Sequence, residues 1–568
     1  MALASPGIET REIDAGGGVQ SLGSSPGAAV LDATWGPIDQ RVLITNETEL
    51  VNRFGRPTNQ NARRWYTINN FLSYVGSIFV VRAVGDGTLN ANDTGTGVLV
   101  KNDDDFQNTA KGSYKFISRF AGSKGNSIKV EVCDSGDNFA TWDFRDRFDS
   151  APGTSDYAAK FGASNDELHI VVLDERGKIT GTPNTVLETF SFLSKASDGK
   201  NEVGGSNYYV NVINEQSRFV YAGTSALSEV DSEEEEAEAE YGDSVEDGNV
   251  FATSDEIIDL DLMGGVDVAP TTGEGTTALN HFLSAEDVSI DVILTADGFA
   301  DLGDDTETTF VNAAIDIAET RQDCVVVASP MILTSSGGIV ADPEATTQTF
   351  YGAVTRSSYL FATCNYKYQY DKYSDVFRYI PDNGDIGGLI SRLDRDFEPW
   401  FSPAGFSRGN IRNLTKLAWN PNQVERDNLY RNSINPVVSF PGSGTVLFGD
   451  KTFLSKPGAF DRINVRRLFI VVRGNVSNFA RSILFEVNDS FTRGSFVSAV
   501  EQYLDTVQAA RGIDAFEVVA DDSNNTPAVL NANQFVGDIF IRPLNSINFI
   551  RLNFIAVRAG IEFSEITG

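Results

Sequence analysis

The stretches VSIDVIL (residues 288–294), VNAAIDIA (311–318) and CVVVA (324–328) have the pattern of a strand, a helix and a second strand. The two outer stretches are short and mostly apolar, which is typical of strands buried on both faces of a sheet. In the middle stretch the apolar residues recur at the spacing of one helix face. Because consecutive parallel strands need a long crossover, usually a helix, these stretches predict a β-α-β unit within an α/β layer.

On both sides of this unit, the chain divides into segments that differ in composition and hydrophobic pattern. We predict an extended N-terminal arm at residues 1–20, strands with one helix at 21–90, an inserted, mostly β region at 91–275, the α/β domain at 276–380, an α+β domain at 381–559 and an extended C-terminal arm at 560–568. The length of 568 residues agrees with this division, since it corresponds to roughly three or four domains.

The segment at 21–90 has one clear helix signal. From Glu47 the apolar residues follow helical spacing, and Gly55 marks the end of the helix. Short apolar runs at 28–31, 41–45 and 78–84 predict strands around it.

The inserted region at 91–275 is rich in Asn, Asp, Gly, Ser and Thr, with predicted short strands at 127–132 and 168–173. Its most polar part, 229–247, contains four consecutive glutamates at 233–236. Such a run repels itself and stays solvated, which predicts an exposed acidic loop. A calcium site is the weaker alternative, because no loop of spaced acidic ligands with a Gly turn and a terminal Glu accompanies the run.

The last long segment has the strongest helical periodicity of the chain. It predicts one helix over 465–484, bent or divided at Gly474, and a second over 496–507 that ends at Gly512. Polar residues share the outward face of the second helix: Ser498, Glu501, Gln502, Asp505 and Gln508. Strands are predicted at 516–520, 536–541 and 547–557.

Composition limits the kinds of partner. The chain has 45 basic and 79 acidic residues, a formal net charge of -34, which disfavours nucleic acid and anionic membranes. We find no secretory signal pattern and no apolar stretch of about 18 residues, so neither secretion nor membrane insertion is expected. The three cysteines are isolated, which favours buried thiols in a reducing cytoplasm over disulfides.

The sequence gives little support for catalysis. The only two histidines, His169 and His281, lie in different predicted regions, so nucleophilic triads and multi-histidine metal sites lack their usual base or ligand. The acidic loop after residue 294, with Asp297 and Gly298, lacks the phosphate-binding pattern and is predicted to be a plain loop. A pair of acid/base carboxylates remains possible by number alone. We expect no catalytic residues, no cofactor and no metal.

The two chain ends carry an assembly signal. Each is short, polar and compatible with a strand, and neither can bury a core by itself. Such strands can extend the sheet of a neighbouring subunit by edge pairing, although a frayed terminus or an edge strand of the same subunit is an equal alternative. The residues of these inter-subunit arms are Ile8, Glu9, Thr10, Arg11, Glu12 and Ile13 at one end and Ile561, Glu562, Phe563, Ser564, Glu565 and Ile566 at the other.

Several ordered blocks resemble the tail sheath proteins of contractile-tailed, myovirus-type bacteriophages. The blocks are SPGIETREID (5–14), GPIDQRVLITNETELVNRFGRP (36–57), PWFSPAG (399–405), LAWNP (417–421), SINPVVSFPGSGTVLFGDKTF (433–453), NVRRL (464–468) and GDIFIRPLNSINFIRLNF (537–554). They span about half of the chain, and the region at 91–275 departs from the family pattern.

The resemblance implies a multidomain α+β fold with an α/β layer, in which an inner domain is formed by both chain ends and the insertion is a mostly-β outer domain. It implies a structural subunit that forms a helical homo-oligomer of stacked rings around a tail tube protein, with baseplate and tail terminator proteins as further partners. The sheath of this family assembles in the infected cell and later contracts, driving the tube through the host envelope during genome delivery. Under this reading the polar face at 498–508 is the hypothetical tube contact.

Two other readings remain open from the sequence. The sheath of a related machine, a contractile bacteriocin or a type VI secretion system, would have the same architecture. A multidomain carbohydrate-active or carbohydrate-binding protein, using the β-rich insertion and paired acids, is the more distant alternative.

Overall fold

The computed structural model describes residues 26–108, 113–225, 227, 239–299 and 307–548. The strands in these residues are β1 (Gly27–Leu31), β2 (Arg41–Ile44), β3 (Ile78–Arg82), β4 (Phe116–Ser118), β5 (Ile128–Cys133), β6 (Glu167–Asp174), β7 (Thr185–Ser194), β8 (Val220–Ala222), β9 (Ile258–Asp261), β10 (Val292–Leu294), β11 (Val325–Ala328), β12 (Leu360–Ala362), β13 (Tyr366–Asp371), β14 (Val376–Pro381), β15 (Lys416–Leu417), β16 (Val437–Phe440), β17 (Gly444–Leu447), β18 (Ile513–Val519) and β19 (Asp538–Pro543). The α-helices are α1 (Glu47–Phe54), α2 (Ala62–Leu72), α3 (Asp103–Asn108), α4 (Gly136–Thr141), α5 (Asp156–Ala159), α6 (Tyr209–Gln216), α7 (Thr272–Leu279), α8 (Glu307–Arg321), α9 (Pro343–Gly352), α10 (Asn383–Asp396), α11 (Gln423–Arg431), α12 (Ile463–Ser482), α13 (Ser490–Ala509) and α14 (Pro527–Asn531).

A six-stranded sheet with the order β12-β11-β10-β1-β3-β2 forms the centre. Its strands are parallel except β2, which runs antiparallel to β3. The predicted β-α-β unit is confirmed as β10, α8 and β11, with Val292 opposite Val325, although β10 begins four residues later than expected. Because β1 pairs with both β10 and β3, the first segment and the α/β segment share one sheet.

Helices cover both faces of this sheet, as the alternation of side chains along a strand requires. On one face Ala28 and Val30 of β1 pack with residues of α7, α8 and α9. On the other face Ala29 and Leu31 pack with residues of α1, α2 and α10. The result is an α/β layer with a hydrophobic core on each side of a buried sheet.

The described part of this segment, residues 26–90, contains two helices, so the prediction of a single helix at 21–90 is wrong. The predicted helix is α1, capped by the Asn46 side chain and ended by Gly55 at φ 82°. The second, α2, was missed because Arg64, Thr67 and Asn70 are buried along with its apolar residues. A helix that is buried on most sides does not show a one-sided apolar stripe.

Between β3 and α7 the chain forms a mostly antiparallel β region. β7, β6, β5 and β9 make a four-stranded sheet, and β4 pairs with β8. The predicted strands at 127–132 and 168–173 are confirmed as β5 and β6. The chain enters and leaves this region side by side, through the antiparallel bridges of Leu89 with Val266 and Asn92 with Met263. The glutamates at 233–236 lie outside the described residues.

The last described part packs the α12–α13 pair against a two-stranded sheet of β18 and β19. Three expectations need correction. α12 is continuous through Gly474, where a Cβ would meet open space. α13 ends with Arg511 in the left-handed region at φ 63°, and Gly512 is instead required by close packing, since its Cβ would lie 3.1 Å from Trp400. Residues 544–548 form no strand, and the rest of the predicted strand at 547–557 lies outside the described residues.

These separate cores confirm a mixed helix-and-sheet, multidomain chain. None of the described helices is long and apolar enough to cross a membrane.

Candidate assembly surfaces

The residues with catalytic potential occupy structural positions. His169 is buried, with its Nε2 2.9 Å from the carbonyl of Ser150 and its Nδ1 accepting from the amide of Phe192. All three cysteines are buried, and burial raises the pKa of the Cys133 thiol to about 11. Within the described ranges no group of His, Cys, Asp and Glu side chains could hold a metal ion.

The acidic loop after β10 is tied down by two arginines of α2. The buried carboxylate of Asp297 lies 2.7 Å from the Nε atoms of both Arg63 and Arg64, and Arg64 also contacts Asp32 at 2.7 Å. Burial alone would raise the pKa of Asp297, but the two guanidiniums hold it below its usual value. The Asp297 carboxylate is thus already neutralised, which agrees with the prediction of a plain loop.

Within the described residues, the sheet of β18 and β19 has no further strand on either edge. It contains two strands in the described part of the chain, paired from Ile513 with Pro543 to Val519 with Asp538. Residues of α13 pack on the sheet, whereas Phe540 is exposed. Two-stranded sheets are marginally stable alone, and their outer backbone groups can pair with another strand. The predicted arms at 8–13 and 561–566 lie outside the described residues.

The predicted polar face of α13 is exposed along its whole length. Its residues are Ser498, Glu501, Gln502, Asp505 and Gln508, all of them exposed. The opposite face of the helix is buried in the C-terminal core. Neither Glu501 nor Asp505 takes part in an ion pair among the described residues, so the face presents two free carboxylates.

A groove of about 880 Å³ was not anticipated from the sequence. It forms where the motif PWFSPAG (399–405) meets α11, the residues that flank the β16–β17 hairpin, the start of α12 and residues 544–548. Its apolar lining includes Trp400, Phe401, Phe448, Leu544 and Ile547. The sequence signal was the motif itself, but only the fold brings these distant segments together.

Asp450 fixes the segment that closes one side of the groove. Its carboxylate accepts from Ser546 Oγ at 2.6 Å and from Asn548 Nδ2 at 2.8 Å, and it pairs with Arg462 at 2.9 Å. Although burial would raise the pKa of Asp450, these donors hold it below the usual value. The last described residues are therefore anchored by a charged, fully engaged carboxylate.

Three family models match the chain in order. Residues 28–83 match the N-terminal region of domain III of the tail sheath protein Gp18, 270–453 match the phage tail sheath central domain, and 455–556 match the phage tail sheath C-terminal domain. Residues 84–269, which include all but the last six residues of the inserted region predicted at 91–275, lie between the first two matches.

Relatives that match over the whole chain are also tail sheath proteins. The chain is 31% identical to the tail sheath protein of Enterobacteria phage T4 and 29% identical to that of Vibrio phage KVP40, with full coverage of both chains in each case. It is 30% identical to the tail sheath protein of Salmonella phage ViI, over 99% of this chain and 97% of the relative. The crystal structure of a sheath tail protein from Listeria innocua has the same fold, with a TM-score of 0.53, 13% identity and 92% coverage of each chain. The chain therefore belongs to the phage tail sheath protein family.

Proposed function

We propose that copies of this chain polymerise around a tail tube as a contractile sheath, whose contraction drives the tube through the host envelope. The observation that carries the proposal is the match to phage tail sheath proteins over the whole chain. The same match supports a virion location and a structural, non-catalytic role. That all three relatives are phage proteins favours a virion over a bacteriocin or secretion machine.

In this proposal the terminal arms of neighbouring subunits add strands to the open edges of β18 and β19. Each backbone hydrogen bond contributes roughly 0.5–1.5 kcal/mol net, so a strand with four or five bonds contributes only a few kcal/mol. Repeated through a lattice, such links become effectively intramolecular and hold subunits together while their globular faces move. This mechanism is compatible with two lattice packings of one chain, as contraction requires.

The polar face of α13 is the proposed tube contact. Its exposed carboxylates, Glu501 and Asp505, would meet a tube surface with basic groups, because opposite charges guide and orient association. Baseplate and tail terminator proteins would bind the two ends of the polymer.

Electron microscopy of the purified, concentrated protein tests the proposal. We expect hollow cylinders or short helical tubes from the full chain. A variant lacking residues 1–15 and 560–568 is expected to stay folded and monomeric. If that variant forms ordered tubes, the exchange of arms is wrong, and if the full chain forms none under any assembly condition, the polymer itself is in doubt.

A further inference from the structure

The loop between α12 and α13 presents a cluster of exposed apolar side chains, which we name the hairpin tip (residues 484–491). Phe485 is fully exposed, and Leu484, Val487 and Phe491 are exposed by 63%, 72% and 81%. Single exposed apolar residues are ordinary, but a contiguous group of this kind marks an interaction site. The polar face of α13 does not include these residues.

The hairpin tip is held in a defined conformation by hydrogen bonds. The Nδ2 of Asn488 donates to the carbonyl of Gln534 at 2.8 Å, and the Asp489 carboxylate caps α13 by accepting from the amide of Thr492 at 2.8 Å. Phe485 lies in the left-handed region at φ 70°, a conformation that is unfavourable for a non-glycine residue. Because the hairpin tip is already ordered, it loses little conformational entropy when it binds.

The groove at the PWFSPAG motif offers chemistry that complements this tip. Arg408, Arg426 and Arg511 line it, and none of the three is in an ion pair within the described residues. Of the two lining carboxylates, Asp450 is already paired with Arg462, which leaves Asp427. In a chain with a net charge of -34, unpaired arginines beside aromatic rings favour an acidic, apolar partner.

The hairpin tip has that composition. It contains the two phenylalanines together with the acidic residues Glu486 and Asp489. Its aromatic groups can fill the apolar part of the groove, while its carboxylates face the arginines.

The tip and the groove lie at opposite ends of the α12–α13 hairpin. Asn464 at the start of α12 and Arg511 just after α13 both line the groove. Each helix has 20 residues, which corresponds to a length of about 30 Å. A tip therefore cannot reach the groove of its own molecule. A head-to-tail contact between identical chains generates a ring or an open helical polymer, according to whether the rotation closes.

We propose that the hairpin tip of one subunit docks in the groove of the next copy of this chain. This contact rests on the sheath function but is distinct from the exchange of terminal arms and from the tube contact. It assigns the PWFSPAG motif to the receiving side of a subunit interface.

Cross-linking within assembled tubes tests the contact directly. One preparation carries Val487→Cys at the tip, and a second, affinity-tagged preparation carries Gln423→Cys, an exposed residue that lines the groove. The native thiols are buried and do not compete. A short bismaleimide should link the two different chains in mixed tubes, with the pair identified by mass spectrometry. A control mixture of Val487→Cys with Thr506→Cys, exposed on α13, should give at least tenfold less product.

Tubes that form without the Val487–Gln423 link would overturn the docking contact and leave the sheath function intact. Failure of all variants and the unaltered chain to form tubes would count against both.

A second variant tests the docking contact without cross-linking. Phe485→Ser should raise the protein concentration needed for tube formation at least tenfold, without lowering the melting temperature, because the ring makes few contacts within the subunit. Val203→Ser, an equally exposed site in the inserted region, is the matched control and should change neither quantity. Equal assembly thresholds for the two variants would overturn the proposal.

Discussion

In the α/β layer, the buried carboxylate of Asp297 holds Arg63 and Arg64 of α2. Asp297→Asn should lower the free energy of unfolding by about 3–5 kcal/mol, because it leaves Arg63 without a carboxylate partner and the buried guanidinium of Arg64 with Asp32 alone. Urea unfolding followed by circular dichroism measures this effect. Glu286→Gln, an exposed change of the same kind in the preceding loop, should shift the free energy by less than about 0.5 kcal/mol. Equal effects of the two substitutions would contradict the structural role of Asp297.

Asp382 makes stability depend on pH. Burial raises the pKa of its carboxyl to about 7, although hydroxyl groups of Thr363 and Ser329 donate to it. The native state thus holds a proton that the unfolded chain releases near pH 4, so this contribution is complete below about pH 4 and is lost as the pH rises towards 7. The total loss is about 4 kcal/mol, because the pKa rises from 3.8 to about 7 and each unit of difference corresponds to about 1.4 kcal/mol.

The substitution Asp382→Asn isolates this effect, because an amide cannot titrate. Unfolding free energies measured between pH 5 and pH 8 should fall less with rising pH in the variant than in the unaltered chain. Parallel pH profiles for the two proteins would show that Asp382 titrates normally.

At the scale of elements, the end of α1 depends on a backbone conformation that only glycine adopts easily. Gly55 has φ 82° and ψ 177°, and a Cβ there would lie 2.5 Å from Lys124 Nζ. Gly55→Ala should therefore destabilise the chain by about 1–3 kcal/mol. Gly76→Ala is the matched control, since its Cβ would meet open space and its φ is not positive. Thermal unfolding distinguishes them, and equal melting temperatures would contradict the strain at Gly55.

The sequence predicted those elements whose signal is local. α1 follows apolar periodicity and a nearby cap, and β11 is a continuous apolar run, so both are predicted close to their observed bounds. The periodicity of residues 311–318 predicts α8, which in the structure extends further at both ends. α2 was missed because its polar residues are buried by distant partners, as when Asn70 donates to Gln369 at 3.0 Å. The position of β1 beside β10 also depends on a pairing across more than 260 residues that no local pattern encodes.

Among the candidate surfaces, too, only those with a local sequence pattern could be predicted. The polar face of α13 was predictable because it follows the period of one helix. The groove was not, because Trp400, Phe448 and Ile547 become neighbours only through tertiary contacts. The hairpin tip was hidden in the sequence by its resemblance to continued helix: Ile483 and Leu484 extend the apolar period of α12, which in the structure ends at Ser482.

At the scale of the whole molecule, each subunit must keep its fold while its neighbours change position. In the described part of the chain, the residues that hold the fold together differ from the residues that face other subunits. Its folded units have their own hydrophobic cores, whereas the edges of β18 and β19, the tip and the α13 face are exposed. A change confined to one of these surfaces should therefore alter assembly without altering the stability of the subunit.

The proposed tube contact on α13 is the clearest test of this separation. Glu501→Lys combined with Asp505→Lys reverses two exposed charges on α13, so sheath assembly on purified tubes should be lost while the melting temperature stays the same. Glu246→Lys with Asp247→Lys makes the same change of charge at exposed residues of the inserted region and should assemble normally. Co-sedimentation with tubes and electron microscopy measure both. Normal sheaths from the α13 variant would place the tube contact elsewhere, and loss of assembly in both variants would attribute the effect to net charge rather than to the α13 face.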